Sequence, residues 1–61
     1  MAELVDLRRA SKELSVSIFA LRSWVYQRRL PVVRLGRRVL FRREDLEAFV
    51  NKNVVEAKKQ G

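Results

Sequence analysis

The stretch RRLPVVRLGRRVLFRRED, Arg28 to Asp45, decides how this chain folds. Leu30-Pro31 closes whatever helix precedes it, because a proline disfavours helical geometry in the residue before it. Val32 to Phe41, rich in β-branched and apolar residues and interrupted at Gly36, reads as a β-hairpin. Glu44 and Asp45 then suit the positive end of a new helix. Two registers are open to the hairpin. A two-residue loop, Gly36-Arg37, would set Arg38 beside Val33, Leu35 and Leu40 on one face. A three-residue loop, Gly36-Arg37-Arg38, gathers Val33, Leu35, Val39 and Phe41 on one face and is the preferred expectation. It puts Arg37 and Arg38 on the tip, leaves Arg34 outside beside them, and turns Leu40 outward.

Upstream of this stretch the pattern is helical. Asp6 caps a first short helix, with Val5 and Ala10 at the positions of a hydrophobic staple and Leu7, Ala10 and Leu14 following at helical spacing. Ser15-Val16-Ser17 breaks the pattern. Ser17 caps a second helix, and Val16 is placed to staple against Leu21. In that helix Leu21, Trp24 and Val25 form an inner stripe with Ile18 at its edge. Phe19, Arg22, Ser23 and Tyr26 fall on the opposite side, a face that is aromatic and basic with no acid. Downstream, Leu46, Phe49, Val50, Val54 and Ala57 make the stripe of a third helix, with Lys58 and Lys59 at its C-terminal end. The sum is a single α+β domain over residues 1–61, with its core spanning about residues 4–57 and its last residues frayed.

The charge distribution says more than the length. The chain carries 14 Lys plus Arg against 7 Asp plus Glu, a net +7. No acid occurs from Leu14 to Arg43, and that window holds eight arginines and no lysine, so the rest of the chain sums to −1. Planar guanidinium forks suit phosphates, whereas solubility alone is served better by acids or lysines. Sixty-one residues bury only roughly 60% of the surface the unfolded chain exposes, which leaves little room for an enzyme cleft. Cysteine and histidine are both absent, removing disulfides, thiolate metal sites and the commonest catalytic base. Glu13, Glu44, Asp45 and Glu47 are accounted for by helix positions, and no acid and base converge at motif spacing. Neither a signal peptide nor a membrane span is legible, so a cytoplasmic protein, nucleoid-associated when bound, is the expectation. Neither catalysis, a cofactor, a metal nor a small-molecule substrate is expected.

The pieces VSIFALRSWV, LPVVRLGRRVLF and RREDLEAFV, in this order and spacing, resemble the small winged helix-turn-helix domains of the excisionase and MerR-like family. The resemblance runs from Leu7 to Val50. It implies three helices with a two-stranded antiparallel wing between the second and third, and binding to double-stranded DNA. It implies a recombination directionality factor of a phage or mobile element, acting with an integrase, or a small transcriptional regulator. The second helix would enter the major groove with Ser17, Phe19, Arg22, Ser23 and Tyr26, and the wing would touch backbone or minor groove with Arg34, Arg37 and Arg38. Three positions depart from the family pattern. Ile18-Phe19 opens the recognition helix where polar residues are usual. Arg28-Arg29 stands where a glycine tends to end it, so that the helix either runs on or closes without a left-handed glycine. Leu40 is apolar where a polar residue is expected.

The residues themselves divide the roles further. Arg22 is the best candidate to read a base, since an arginine bridges guanine O6 and N7. Tyr26 suits a phosphate through its hydroxyl. Trp24 belongs to the core. Arg28, Arg29, Arg42 and Arg43 are candidate phosphate contacts, although Arg28 could instead snorkel from the inner side of the last helical turn, and Arg42 and Arg43 have acids nearby. A monomer with one short helix and one wing reads a small site, which points to further copies of itself bound side by side. Leu40, Val54 and Val55 are the candidate contact surfaces. The reading from a different class is a protein-interaction module that uses Phe19, Tyr26 and Leu40 as one exposed patch.

Overall fold

The computed structural model describes residues 3–57. Among these residues, three helices lie against one side of a three-stranded antiparallel sheet, in the order β1 (Leu4–Asp6), α1 (Leu7–Leu14), α2 (Ile18–Tyr26), β2 (Val33–Leu35), β3 (Arg38–Arg42) and α3 (Arg43–Lys52). The winged helix-turn-helix architecture expected from the sequence is present, with one addition. The residues before the first cap form a strand, β1, and the sheet order is β1-β3-β2.

The helix-turn-helix follows from its caps. Asp6 accepts from the Arg9 amide at 2.8 Å and starts α1, and the staple residues Val5 and Ala10 are both buried. Ser15 turns the chain with φ of 56°. Its amide and that of Val16 donate to the carbonyls of Lys12 and Ser11, at 3.2 and 3.1 Å, closing α1 in a Schellman arrangement. The Ser11 hydroxyl then donates to the Val16 carbonyl at 2.6 Å. Ser17 accepts from the Ala20 amide at 3.1 Å and opens α2. The angle between the two helices is thus held by backbone and hydroxyl bonds within a few residues.

Val5, Ala10, Leu21, Leu30, Phe41 and Leu46 form the buried core, and Leu7, Leu14, Val16, Trp24, Val25, Val32 and Phe49 pack around it. Trp24 takes its expected core place, with its ring 5.1 Å from that of Phe49. The third helix is shorter than its apolar stripe suggested. It ends at Lys52, and Val54 and Ala57 lie beyond it, exposed. Asn53 is the cause: its side-chain amide donates to the Phe49 carbonyl at 2.7 Å and its own N–H to Val50 at 3.0 Å, replacing the next helical turn. Lys58 and Lys59 lie outside the described residues.

The hairpin register is the other correction. Val33 pairs with Leu40, Arg34 with Val39 and Leu35 with Arg38, so the loop is the two-residue Gly36-Arg37. Gly36 has φ of 62° while Arg37 does not take a positive φ, the pattern of a type II′ turn, which demands glycine at its first position. Val33, Leu35, Arg38 and Leu40 therefore share the face turned away from the helices, and Leu35 is 53% exposed. Arg34 lies on the other face, with Val39 and the buried Phe41. Arg38 is the first residue of β3, not part of the tip.

Candidate nucleic-acid interface

On α2 the outward face is as the sequence implied: Phe19 and Tyr26 are 85% and 90% exposed, and Arg22 and Ser23 are exposed between them. Two hydroxyls on this helix already have local partners. Ser17 accepts from Ala20, and Ser23 accepts from the Gln27 side-chain amide at 2.9 Å. Each keeps its own O–H free to donate outward.

The end of α2 departs from the expectation for Arg28. The helix stops at Tyr26, and Arg28 is not in a helical turn but takes φ of 62°. Its amide donates to Val25 at 3.0 Å and that of Arg29 to Trp24 at 2.9 Å, the bond pair of a Schellman motif with Arg28 in the left-handed position. Leu30 then drops into the core, 2% exposed, and anchors the chain ahead of Pro31.

Because Arg34 faces the helices and Arg28 swings out of α2, both border a groove between α2 and the wing. Arg22, Arg28, Arg34 and Tyr26 line it together with Val25 and Val39. Among the described residues, no carboxylate lines it. Arg28 also borders a second depression formed with Arg29, Phe49, Lys52 and Asn53, so it stands on the ridge between the two. Arg37 is exposed on the loop. Arg38, across the sheet, lies 4.0 Å from Asp6.

Ion pairs sort the remaining arginines. Arg42 forks onto Asp45 at 2.6 and 3.0 Å, which raises its pKa. Arg43 binds both Glu13 oxygens, at 2.7 and 3.1 Å, and also Glu3. Hydrogen bonds to Glu13 and then Glu3 raise the Arg43 pKa, and the bond from Arg43 holds the Glu13 carboxyl below its ordinary range. Arg43 thus clasps the start of α3 to α1 and to Glu3 just ahead of β1, while Arg42 and Asp45 bridge only the β3–α3 junction. Glu3 and Glu13 lie 40 and 30 residues from Arg43, so no local spacing could announce the pair. Arg22, Arg28, Arg29, Arg34 and Arg37, by contrast, have no carboxylate within ion-pair distance among the described residues. The proposed patch of Phe19, Tyr26 and Leu40 is not assembled: the two aromatics project from α2, whereas Leu40 is half-buried on the face of the sheet turned from the helices.

Comparison with known proteins is consistent with this geometry. The sequence model of a helix-turn-helix domain family matches residues 4–54. The chain is 47% identical over 51 residues to the transcriptional repressor DcmR of Methylorubrum extorquens, a match covering 80% of this chain and 19% of that protein. The similarity thus spans about one fifth of the repressor's length. No solved structure matches. No helix among the described residues is long and apolar enough to cross a membrane.

Proposed function

Since the chain belongs to the helix-turn-helix domain family, we propose that it binds duplex DNA, with α2 in the major groove and the β2–β3 hairpin over the adjacent backbone. One observation carries this reading: among the described residues, Arg22, Arg28, Arg29, Arg34 and Arg37, on α2, its C-terminal turn and the wing, have no carboxylate within ion-pair distance, and three of them line a groove that none of the described carboxylates lines. Arg22 reaches both a base edge and the phosphate beside it. Arg34, Arg37 and Arg38 contact phosphates, or an adjoining minor groove at the tip, and Ser17, Ser23 and Tyr26 add neutral hydrogen bonds. Phe19, at the entrance of α2, makes apolar contact with a thymine methyl or the sugar edge.

The likeness to a repressor supports a role in transcription regulation. The wing and closing-helix pattern supports a second use of the same surface, a directionality factor that bends DNA for an integrase. Both uses call for copies bound side by side or for a partner protein, because one short helix and one wing specify few base pairs. Selection of sites from a random duplex library, followed by footprinting on one, two and three tandem copies, tests the reading. Enriched sites bound more tightly per copy in tandem are expected. No enrichment, with the same affinity for every duplex, would overturn sequence-preferring binding.

A further inference from the structure

The geometry points to Arg28 as the anchor of a phosphate subsite between α2 and the wing, shared with Arg22, Arg34 and the Tyr26 hydroxyl; this rests on the duplex-DNA reading above. The left-handed position that closes a Schellman motif favours glycine, since any Cβ there crowds the following carbonyl. This chain places an arginine at that position, with φ of 62°. The two backbone bonds of the motif need no side chain at all, so the guanidinium contributes nothing to the cap itself. The conformation does alter where the side chain emerges. Were the residue helical, it would continue the inner side of α2, which buries Leu21 and half-buries Val25. As the residue after the C-cap Gln27, in a left-handed turn, it reaches the groove that Arg22 and Arg34 border.

Three guanidinium groups without acids around one concavity repel one another, and a bound anion relieves that repulsion. The groove is open to solvent between a helix and a hairpin, and its Tyr26 rim is exposed, which suits a phosphodiester on a duplex surface rather than an enclosed small anion. A backbone unfavourable for its residue, at a site where that residue's side chain meets a ligand, is the usual arrangement of stored local strain.

The substitution Arg28→Gly separates the two roles because its effects run in opposite directions. Removing the left-handed strain should raise the thermal midpoint by about 4–8 °C. Removing the guanidinium should weaken binding to a selected duplex about tenfold and make the log-log salt slope shallower by about one. Arg29→Ala, which removes the same charge from the neighbouring depression, should cost no more than about threefold. A more stable Arg28→Gly protein that binds as tightly as wild type would overturn the subsite, as would equal losses in Arg28→Gly and Arg29→Ala, which would mark a diffuse charge effect. If the wild-type protein itself binds no duplex, the DNA reading falls and the subsite with it. Wild-type binding with an unaffected Arg28→Gly sinks the subsite alone.

Discussion

The sorting of arginines by their ion pairs has a consequence in salt. Duplex binding releases counterions, and log affinity falls with log salt at about 0.9 per phosphate neutralised. On the helix and wing, Arg22, Arg28, Arg34 and Arg37 carry charge that no carboxylate among the described residues offsets, and Arg38 only leans toward Asp6 at 4.0 Å. Four to five contacts give a slope of roughly −4, so that raising salt from about 50 to about 200 mM should weaken binding about 250-fold. Arg37→Ala with Arg38→Ala should bring the slope to roughly −2.5 and weaken all duplexes alike. Arg42→Gln with Asp45→Asn removes an arginine whose charge is already met, leaves the net charge unchanged, and should leave the slope where it was. Fluorescence anisotropy on a labelled duplex, titrated at several salt concentrations, reads all three slopes. A wild-type slope shallower than about −1 would refute phosphate contact as the source of affinity. A slope altered as much by the Arg42 and Asp45 pair of changes as by the wing pair would refute the sorting.

Arg34→Glu should keep wild-type stability and weaken DNA binding by more than about 100-fold, whereas Leu35→Gln, half-exposed on the far face of the sheet, should change stability by about 0.5 kcal/mol and leave binding intact; circular-dichroism melts beside binding curves decide it, and the reverse assignment would restore the three-residue loop. Phe41→Ala opens a cavity under the sheet at a cost of about 3–5 kcal/mol, against a total of roughly 3–9 kcal/mol for a domain of this length, so the urea midpoint should fall by at least about a third. A Phe41→Ala protein with the wild-type midpoint would contradict the core described here. Arg43 and Arg9 hold the folded Glu13 carboxyl below its ordinary value of 4.5, so this clasp stabilises the protein above that pH and the stabilisation fades as pH falls through the lower, folded value. The thermal midpoint of wild type should therefore drop more steeply on acidification than that of Glu13→Gln, and parallel curves would show the clasp to be without effect.

Local chemistry made most of this fold legible. Asp6 and Ser17 cap the helices they were expected to cap, because an N-cap depends only on a side chain and an amide three residues on. The outward face of α2 was legible for the same reason: helical period alone sets Arg22, Ser23 and Tyr26 apart from Leu21. What escaped was decided at a distance or by one dihedral angle. Glu3 and Glu13 capture Arg43 across the fold; and of the two ends left open for α2, a longer helix or a close without a left-handed glycine, the second holds, with Arg28 itself taking the left-handed turn.

The wing shows how such a miss bears on function. Apolar patterning favoured the register that collects Val33, Leu35, Val39 and Phe41 on one face, as though every apolar side chain were destined for one core. Here the helices cover the sheet on one side only, and β1 supplies Val5 opposite Phe41 to complete that side. With Val5 in place the core no longer needs Val33 and Leu35, and Gly36 settles the register through a turn that only glycine opens easily. The cost is an uncovered face carrying Leu35 and a half-buried Leu40. In return Arg34, which the apolar register would have set outside, faces α2 and meets Arg22 and Arg28 across the groove. A one-residue difference in loop length therefore decides whether the wing adds a third arginine to the recognition helix or an apolar surface beside it.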